Sequence, residues 1–277
     1  MTILNRLPSS PEINAYKEAG VVLLPGLVTD DWVTQIRDAV EGDLKNASYS
    51  ANRLFCDGMM MWKRDAVFEA YCLNQELPEA AAVLMTSDKV NLLYDQYLVK
   101  EPGGTAAVGK TKWHHDQPYW PIRGDQIVTL WLALDDIDDS TGRIEFVAGS
   151  HKSSDLYQPE GLTESDYQYS KNPDYRPIPD IDACREDYEI QSWDMSPGDI
   201  LAFHGRTIHG AKGNQNSTRR RRALAIRYVG EDVTYYDGPG SYEGLKSSDL
   251  TNGEKSIGSI KPLLREDTLA DSVDWGC

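Results

Sequence analysis

The feature that most constrains the fold is a succession of short apolar runs over residues 93–229, each bounded by turn-forming residues. The runs with strand-like length and composition are Leu93–Val99, Ile127–Leu134, Ile144–Val147, Ile190–Trp193, Ile200–His204 and Ala223–Val229. Short strands separated by turn signals are typical of all-β barrels and jelly rolls. The sequence therefore predicts a mainly β core of this kind.

The first 90 residues show a different, mostly helical pattern. Ser10–Glu12 favour a helix start and Gly20 favours its end, and the run Val21–Leu24 then predicts a short buried strand. A second helix is expected from about Thr29. A third is expected over Val67–Met85, which the proline within it must interrupt or end. We therefore expect an N-terminal helical layer against the β core.

No linker or internal repeat divides the chain, so we predict a single domain over residues 1–277. It consists of a mostly helical layer (1–90), a barrel core (91–230) and a C-terminal extension (231–277). Within the core, residues 153–187 are rich in Tyr, Pro and Asp and only weakly periodic. Loops of this length commonly act as lids or binding loops. A lid-like insertion is therefore expected at 153–187.

The charge balance limits the classes of partner. A formal net charge of −16 repels nucleic acid and anionic membranes over the surface as a whole, although a local basic patch could override it. The same balance favours a small neutral or cationic substrate over a CoA ester. We therefore expect a small-molecule partner and neither nucleic acid nor membrane, while the sequence does not indicate an oligomeric state.

The cysteines and the first residues point to a cellular compartment. The four cysteines lie far apart without a CxxC pair, so neither a disulfide framework nor a structural zinc site is expected. The first residues have no apolar segment of a secretory signal, and no apolar run approaches the roughly 20 residues that span a bilayer. These features predict a cytoplasmic protein.

A His-x-Asp pattern provides the first candidate metal ligands. On a strand, residues i and i+2 share a face, so His114 and Asp116 can converge on one ion. His115 points the other way, and its own i+2 partner is Gln117, a poor ligand for iron. The predicted pair is therefore His114 with Asp116.

A third ligand must come from a strand that is distant in sequence. His204 or His209 could supply it, and we favour His209 because it begins a polar, glycine-flanked stretch, whereas His204 ends an apolar run. Two imidazoles and one carboxylate on one face of an octahedron leave three positions open, which is typical of non-heme Fe(II) oxygenases. The sequence thus predicts an oxygenase with dioxygen as a co-substrate.

Four consecutive arginines, Arg219–Arg222, lead into a predicted strand. A dicarboxylate co-substrate needs a planar, bidentate cation at the end remote from the metal. Strand alternation places Arg220 and Arg222 on one face and Arg219 and Arg221 on the other. One of these pairs can point inward while the other is solvated.

Several blocks of sequence, taken in order, resemble the phytanoyl-CoA dioxygenase family, which includes ectoine hydroxylases. They are Tyr94–Lys100, Trp113–Trp120, Val128–Asp136, Phe146–Lys152 and Pro197–Gly210, followed by Asn214, Ser217 and the arginine run. One block would be a weak signal, but the ordered set is highly specific. The resemblance covers about residues 90–230, and the N-terminal helices are compatible with it.

The resemblance implies a double-stranded β-helix (jelly roll, cupin-like) core with Fe(II) on His114, Asp116 and His209. It also implies 2-oxoglutarate as co-substrate. The arginine eleven residues after the distal histidine, here Arg220, would meet its distal carboxylate, with Arg222 as the second choice. The residues implied to line the co-substrate pocket are Gln96 and Trp131.

One departure and one agreement with the family refine this expectation. Many relatives carry a small hydroxyl residue two positions after the distal histidine, where this chain has Ala211. In related halogenases a small residue replaces the metal carboxylate so that chloride can bind, whereas Asp116 is present here. The expected reaction is hydroxylation of a small molecule, with release of succinate and carbon dioxide.

Two alternative functions follow from the same residues. A non-catalytic metal- or ligand-binding β-barrel would bind the ion without oxygen-dependent turnover. The stretch Gly104–Thr111 also matches the Walker A pattern letter for letter. A P-loop needs a helix after it to cradle phosphate, and the prolines at 118 and 121 make a helix there unexpected. Nucleotide binding is therefore disfavoured.

Overall fold

The structure is a computed structural model that describes residues 2–46, 54–162, 169–254 and 262–264. The α-helices of this part of the chain are α1 (Ser10–Ala19), α2 (Asp30–Asn46), α3 (Ala66–Cys72) and α4 (Glu76–Met85). The strands are β1 (Val21–Leu24), β2 (Phe55–Met59), β3 (Lys89–Lys100), β4 (Thr111–His114), β5 (Ile122–Arg123), β6 (Ile127–Ala133), β7 (Ile144–Val147), β8 (Ile190–Gln191), β9 (Ile200–His204), β10 (His209–Ala211), β11 (Arg221–Val229), β12 (Thr234–Tyr235) and β13 (Pro262–Leu264).

Two antiparallel sheets form the core. The major sheet has the order β1-β9-β6-β11-β3-β13, with β2 also paired to β3. The minor sheet has the order β4-β10-β7-β8, and β5 pairs separately with β12. Strands adjacent in space are distant in sequence, as in a jelly roll. The predicted double-stranded β-helix core with an N-terminal helical layer is confirmed.

Alternation along β11 shows why the two faces of the major sheet differ. Leu224, Ile226 and Tyr228 belong to the larger apolar cluster, which includes residues of all four helices. Ala223 and Ala225 belong to a second cluster, together with aromatic residues of β6, β7 and β9. Because the side chains of a strand alternate between faces, β11 presents bulky residues to the helices and small ones to the space between the sheets. We call this inner space the lumen.

The N-terminal part is less uniformly helical than predicted. The predicted strand Val21–Leu24 is confirmed as β1, whereas β2, which was not predicted, also joins the major sheet. The expected third helix is divided into α3 and α4. The break lies before Pro78, at Asn74, whose Oδ1 accepts hydrogen bonds from the backbone N–H groups of Glu76 (2.7 Å) and Leu77 (3.2 Å). Pro78 then lies in the first turn of α4, where its missing N–H leaves no helical bond unmade.

The Walker-like stretch is followed by strand β4 and not by a helix. The described part of the insertion, residues 153–162 and 169–187, packs on the minor sheet through Ile181, which joins Val147 and Ile208 in a small apolar cluster. It also reaches Tyr119, whose hydroxyl donates to the carbonyl of Glu160 at 2.9 Å. Among the described residues, no helix combines the length and apolar character that crossing a membrane requires.

Candidate metal centre

The three predicted metal ligands come together at one end of the lumen. His114 is the last residue of β4 and His209 the first of β10, and the two are direct partners across the antiparallel pair. Asp116 lies in the turn after β4, at the N-cap of a 3-10 turn over Gln117–Tyr119. The expectation that Asp116 shares a strand with His114 is therefore wrong, because β4 ends before it and the chain turns the carboxylate toward both histidines.

The donor atoms are spaced for a single ion. Asp116 Oδ1 lies 3.3 Å from His114 Nε2 and 3.8 Å from His209 Nε2. One ligand atom from each of the three residues falls within 4.8 Å of the others. Metal–ligand bonds of about 2.1 Å at right angles would place neighbouring donors about 3 Å apart. The residues thus fit the facial arrangement of two imidazoles and a carboxylate that holds Fe(II).

Backbone carbonyls fix the orientation of both imidazoles. His114 Nδ1 lies 2.8 Å from the carbonyl oxygen of Lys112, and His209 Nδ1 lies 2.9 Å from that of Thr207. An Nδ1–H donating to each carbonyl leaves Nε2 as the free lone pair, as is usual for metal-ligating histidines. Asp116 Oδ2 is buried without a hydrogen-bond partner, and an ion would satisfy that atom.

Electrostatics keep His209 and Asp116 in the protonation states that a metal needs. Burial, reinforced by the neighbouring His114, lowers the pKa of His209 to about 4, so its imidazole is neutral at pH 7. Burial alone would raise the pKa of Asp116. The neighbouring imidazole of His114, then that of His209 and the Arg227 guanidinium, instead hold that pKa below its ordinary value. The carboxylate therefore stays ionised.

Aromatic rings wall the site. Phe203 and Phe146 lie with their ring centroids 4.8 and 5.6 Å from that of His209. Tyr119 meets His114 edge-on at 5.8 Å. Such packing restricts the histidine rotamers and keeps bulk water away from the ligand atoms.

Two buried cations lie on the inner face of the major sheet. Arg221 on β11 and Lys100 on β3 are direct cross-strand partners, with exposed fractions of 3% and 0%. Lys100 Nζ donates to the carbonyl oxygens of Lys212 (2.7 Å) and Ala211 (3.4 Å), and Arg221 donates to that of Gly142. Among the described residues, no carboxylate lies within 4.0 Å of either cation.

Burial has a clear electrostatic effect on these two groups. It lowers the pKa of Arg221 to about 10. It also lowers the pKa of Lys100 well below its usual range, with a further contribution from the charge of Arg221. Buried charges without counter-ions are strongly unfavourable, so a pair of them marks a place where an anionic ligand would be stabilised.

The prediction for Arg220 has to be corrected. Its guanidinium lies on the outer side of the major sheet, where Nη1 is 2.6 Å from Glu41 of α2 and Nε is 2.7 Å from Glu101. The second choice, Arg222, is also on the outer side and pairs with Asp135 at 2.6 Å. Neither arginine reaches the lumen.

The reason for the error is the phase of the strand. Counting eleven residues from His209 gives Arg220, but the inner face of β11 is set by Ala223 and Ala225, with which Arg221 is in phase. The small residues at 223 and 225, alternating with Leu224 and Ile226, were a signal in the sequence that could have identified Arg221. Lys100 was missed because a lysine at a strand end is most often solvated.

Gln96 and Trp131 both lie on the inner face, as each is paired with Ala225 from a neighbouring strand. The Arg221 guanidinium lies 5.3 Å from the centroid of the Trp131 ring. Gln96 Nε2 donates to Asp57 at 2.7 Å. The structure therefore brings both residues into the lumen that Arg221 enters.

The other candidate third ligand, His204, does not join the metal-ligand group. Its Nε2 is 2.6 Å from the carbonyl oxygen of Asp125, and its ring lies 5.3 Å from that of His151. Burial lowers the pKa of His204 to about 3. These contacts are those of a neutral, hydrogen-bonded core histidine.

Comparison with known proteins agrees with this geometry. The chain matches the family described as phytanoyl-CoA dioxygenase (PhyH) over residues 16–223, and it belongs to that family. A Caenorhabditis elegans protein named "Probable phytanoyl-CoA dioxygenase" is 27% identical over 175 residues, which are 62% of this chain and 54% of that protein. A Stutzerimonas stutzeri protein named "Probable alpha-ketoglutarate-dependent hypophosphite dioxygenase" is 27% identical over 158 residues, or 57% and 51% of the two chains.

The chain thus spans about half the length of these two curated relatives. Among solved structures, the non-heme alpha ketoglutarate dependent carbocyclase SnoK from nogalamycin biosynthesis superposes with a TM-score of 0.72. The identity is 22%, and the match covers 94% of this chain and 98% of SnoK. This likeness supports the fold assignment.

Proposed function

We propose that this chain is an Fe(II)- and 2-oxoglutarate-dependent dioxygenase that hydroxylates a small molecule. The observation that carries the proposal is the presence of two complementary sites in one lumen. One is the facial group His114, Asp116 and His209, and the other is the buried cation pair Arg221 and Lys100, which has no counter-ion among the described residues. A metal site with open positions beside a dicarboxylate site is what such an enzyme requires.

The ligand residues have distinct roles in this proposal. His114, Asp116 and His209 hold the iron, and Arg221 replaces Arg220 as the residue that meets the distal carboxylate of 2-oxoglutarate. Its guanidinium offers a planar fork, while Lys100 adds a second positive charge from the paired strand. When bound, the iron supplies the activation of dioxygen that couples decarboxylation of 2-oxoglutarate to succinate with insertion of one oxygen atom into a substrate C–H bond.

Other residues of the lumen position the ligands and exclude water. Trp131 packs against the Arg221 guanidinium and limits its movement, and Gln96 offers a polar group on the same face. Ala211 contributes only a methyl group where many relatives have a hydroxyl. The insertion at 153–187 serves as a lid through its contact with Tyr119, a neighbour of His114.

Names of relatives support the same activity. One curated relative is named as an alpha-ketoglutarate-dependent dioxygenase and a structural neighbour as an alpha ketoglutarate dependent carbocyclase. We further propose that the chain acts as a single domain over residues 1–277, in the cytoplasm, on a small molecule and not on nucleic acid or a membrane. Among the described residues Cys56, Cys72 and Cys184 form no disulfide, and together with the net charge of −16 this supports the proposal.

The test is anaerobic addition of Fe(II) and then 2-oxoglutarate. A visible metal-to-ligand charge-transfer band should appear, and His209→Ala should abolish it. His204→Ala is a matched control, since it removes a buried imidazole outside the metal-ligand group and should keep the band. Screening metabolites for substrate-stimulated succinate formation follows. Metal binding without a band and without oxygen-dependent succinate would favour the non-catalytic barrel instead.

A further inference from the structure

Arg227, on the inner face of β11, is the third buried cation of the lumen after Arg221 and Lys100. It lies six residues after Arg221, so the two Cα atoms are separated by about 20 Å along the strand. Its cross-strand partners are Tyr94 on β3 and Thr129 on β6. Only 6% of Arg227 is exposed. The lumen therefore has buried positive charge at both ends of the same strand.

The hydrogen-bonding groups at this end are left incomplete. Arg227 Nη1 donates to the carbonyl oxygen of Ala225 at 3.3 Å, but Nε is buried and has no partner in the part of the chain that the structure describes. The hydroxyl of Thr129, on the neighbouring strand, is also buried without a partner. In the described part of the chain no carboxylate lies within 4.0 Å of Arg227. The Arg227 Nε–H group and the Thr129 hydroxyl thus face the lumen without an acceptor among the described residues.

The aromatic ring of Tyr94 shapes the space beside Arg227. The guanidinium carbon lies 4.5 Å from the centroid of the Tyr94 ring, so one face of the cation is covered. The hydroxyl of Tyr94 in turn accepts a hydrogen bond from Trp120 Nε1 at 2.9 Å. Burial raises the pKa of Tyr94 to about 12, and the charge of Arg227 opposes that rise. The edge of the Arg227 guanidinium therefore stays accessible to a ligand, beside the fixed ring of Tyr94.

A purely structural role for Arg227 does not explain these features. The guanidinium acts on Asp116 electrostatically, but it makes no ion pair with that residue within 4.0 Å. Such an effect at a distance leaves Arg227 Nε and the Thr129 hydroxyl unsatisfied. On the same strand, Arg222 shows what a structural arginine looks like, with both Asp135 and Glu41 in contact. A buried cation that lacks a counter-ion instead indicates a ligand site.

We propose that Arg227 and Thr129 bind the carboxylate of the substrate that is to be oxidised. The proposal rests on the proposed function, in which Arg221 and Lys100 at the other end of β11 hold 2-oxoglutarate. A planar carboxylate matches the guanidinium edge, and the Thr129 hydroxyl can donate to one of its oxygens. The substrate class is therefore a small organic acid. This differs from the neutral or cationic substrate expected from net charge, because the lumen has a local positive field that the surface lacks.

Small anions test this without knowledge of the whole substrate. Protein loaded with Fe(II) and saturating 2-oxoglutarate, without oxygen, is titrated with formate, acetate and phosphate at constant ionic strength. Saturating 2-oxoglutarate blocks Arg221 and Lys100, so the remaining response comes from the other end of β11. The readouts are the midpoint of thermal unfolding and the charge-transfer band. We expect a saturable rise of the midpoint with formate or acetate.

The variants assign that response to particular residues. Arg227→Gln should weaken binding of the carboxylate probe roughly ten- to hundredfold, and Arg227→Lys should retain part of the affinity. Thr129→Val, which keeps the shape of the side chain, should weaken it severalfold and carries the test if Arg227→Gln does not fold. Arg143→Gln is the control, because Arg143 pairs with Asp194 at the surface, and its titration should match the wild type.

Each contrary outcome has a defined meaning. No saturable response in the wild type, or equal affinities in the wild type and the foldable variants, overturns the role of Arg227 and Thr129. A response to phosphate alone overturns the carboxylate assignment. If wild-type protein with Fe(II) and 2-oxoglutarate shows no charge-transfer band, the result counts against the proposed function. A normal band without a response to the anions counts against this inference alone.

Discussion

The two faces of strand β11 carry the same residue type in opposite circumstances. On the outer face, Arg220 and Arg222 share Glu41 of α2 at 2.6 and 2.8 Å and join the helix to the sheet. On the inner face, Arg221 and Arg227 have no carboxylate within 4.0 Å among the described residues. Residue type alone does not reveal the role of a strand arginine, but the pairing of its charge does.

The energetic consequences of the two faces also differ. Partly exposed ion pairs such as those on the outer face contribute about 1 kcal/mol or less to stability. A buried cation without a partner destabilises the folded protein, and it persists where a ligand needs it. The outer arginines should therefore affect stability, and the inner ones should affect binding.

The largest expected effect is on the inner face. Arg221→Gln should raise the dissociation constant for 2-oxoglutarate on the order of a hundredfold, because the carboxylate loses its bidentate partner in a buried site. Arg220→Gln is the matched control one residue away and should leave that constant within about twofold. Titration of the charge-transfer band measures both. Equal loss in the two variants would contradict the assignment of faces.

Asp95 is an exception to the paired charges of the outer face. It lies on the outer side of β3 but makes no ion pair among the described residues. Burial raises its pKa to about 6 from the ordinary aspartate value of 3.8. The folded state therefore favours the protonated form, and the associated stability is present below about pH 4 and lost as pH rises through 6. Asp95→Asn should remove up to about 3 kcal/mol of that pH dependence.

Urea unfolding of the wild type and Asp95→Asn between pH 4 and 7 measures this difference. The asparagine can still accept the hydrogen bond from the Trp62 backbone N–H, which lies 3.3 Å from Asp95 Oδ1. A constant difference between the two proteins across this range would show that Asp95 does not titrate in it.

Lys100→Met should have effects of opposite sign on binding and stability. Removing a buried amine while keeping an apolar chain of similar length should stabilise the ligand-free protein by about 1 kcal/mol or more. Loss of the second cation beside Arg221 should weaken 2-oxoglutarate binding about tenfold. Denaturant unfolding without ligand and the co-substrate titration give the two values. A less stable variant with normal co-substrate binding would identify Lys100 as structural.

The smallest effect is expected at Glu41 on the outer face. Glu41→Gln weakens the contacts to both Arg220 and Arg222, and it should lower the free energy of unfolding by about 1 kcal/mol or less. The affinity for 2-oxoglutarate should not change. Thermal or urea unfolding beside the co-substrate titration checks this, and a clear loss of affinity would mean that the two faces are coupled.

Much of the fold and of the metal centre could be predicted from local patterns. The alternating strands and the ordered blocks indicated the β core, and His114, Asp116 and His209 come together as a group. The choice between Arg220 and Arg221 depended on which residues of β11 face the lumen. The loop over residues 212–220 sets this alternation. Residue counting from His209 cannot detect one additional residue in such a loop.

The burial of Lys100 and Arg227 could not be predicted from the local sequence for a different reason. Each lies in a strand where a charged residue is commonly solvated, and only the pairing of β3, β6 and β11 shows that both are enclosed. The position of the break in the third helix, at Asn74, was likewise not predicted. The interruption was expected at Pro78, but the side chain that caps α4 belongs to Asn74, four residues earlier.

The cation pair of Lys100 and Arg221 has a consequence for the lifetime of the chain in a cell. If these two groups hold a dicarboxylic acid, as proposed, its binding relieves the repulsion between them, so occupancy and folding are linked by mass action. At a ligand concentration one hundred times the dissociation constant, the gain is about 2.7 kcal/mol. Starvation for the co-substrate would then hasten unfolding and degradation, which makes the abundance of the protein follow metabolic supply.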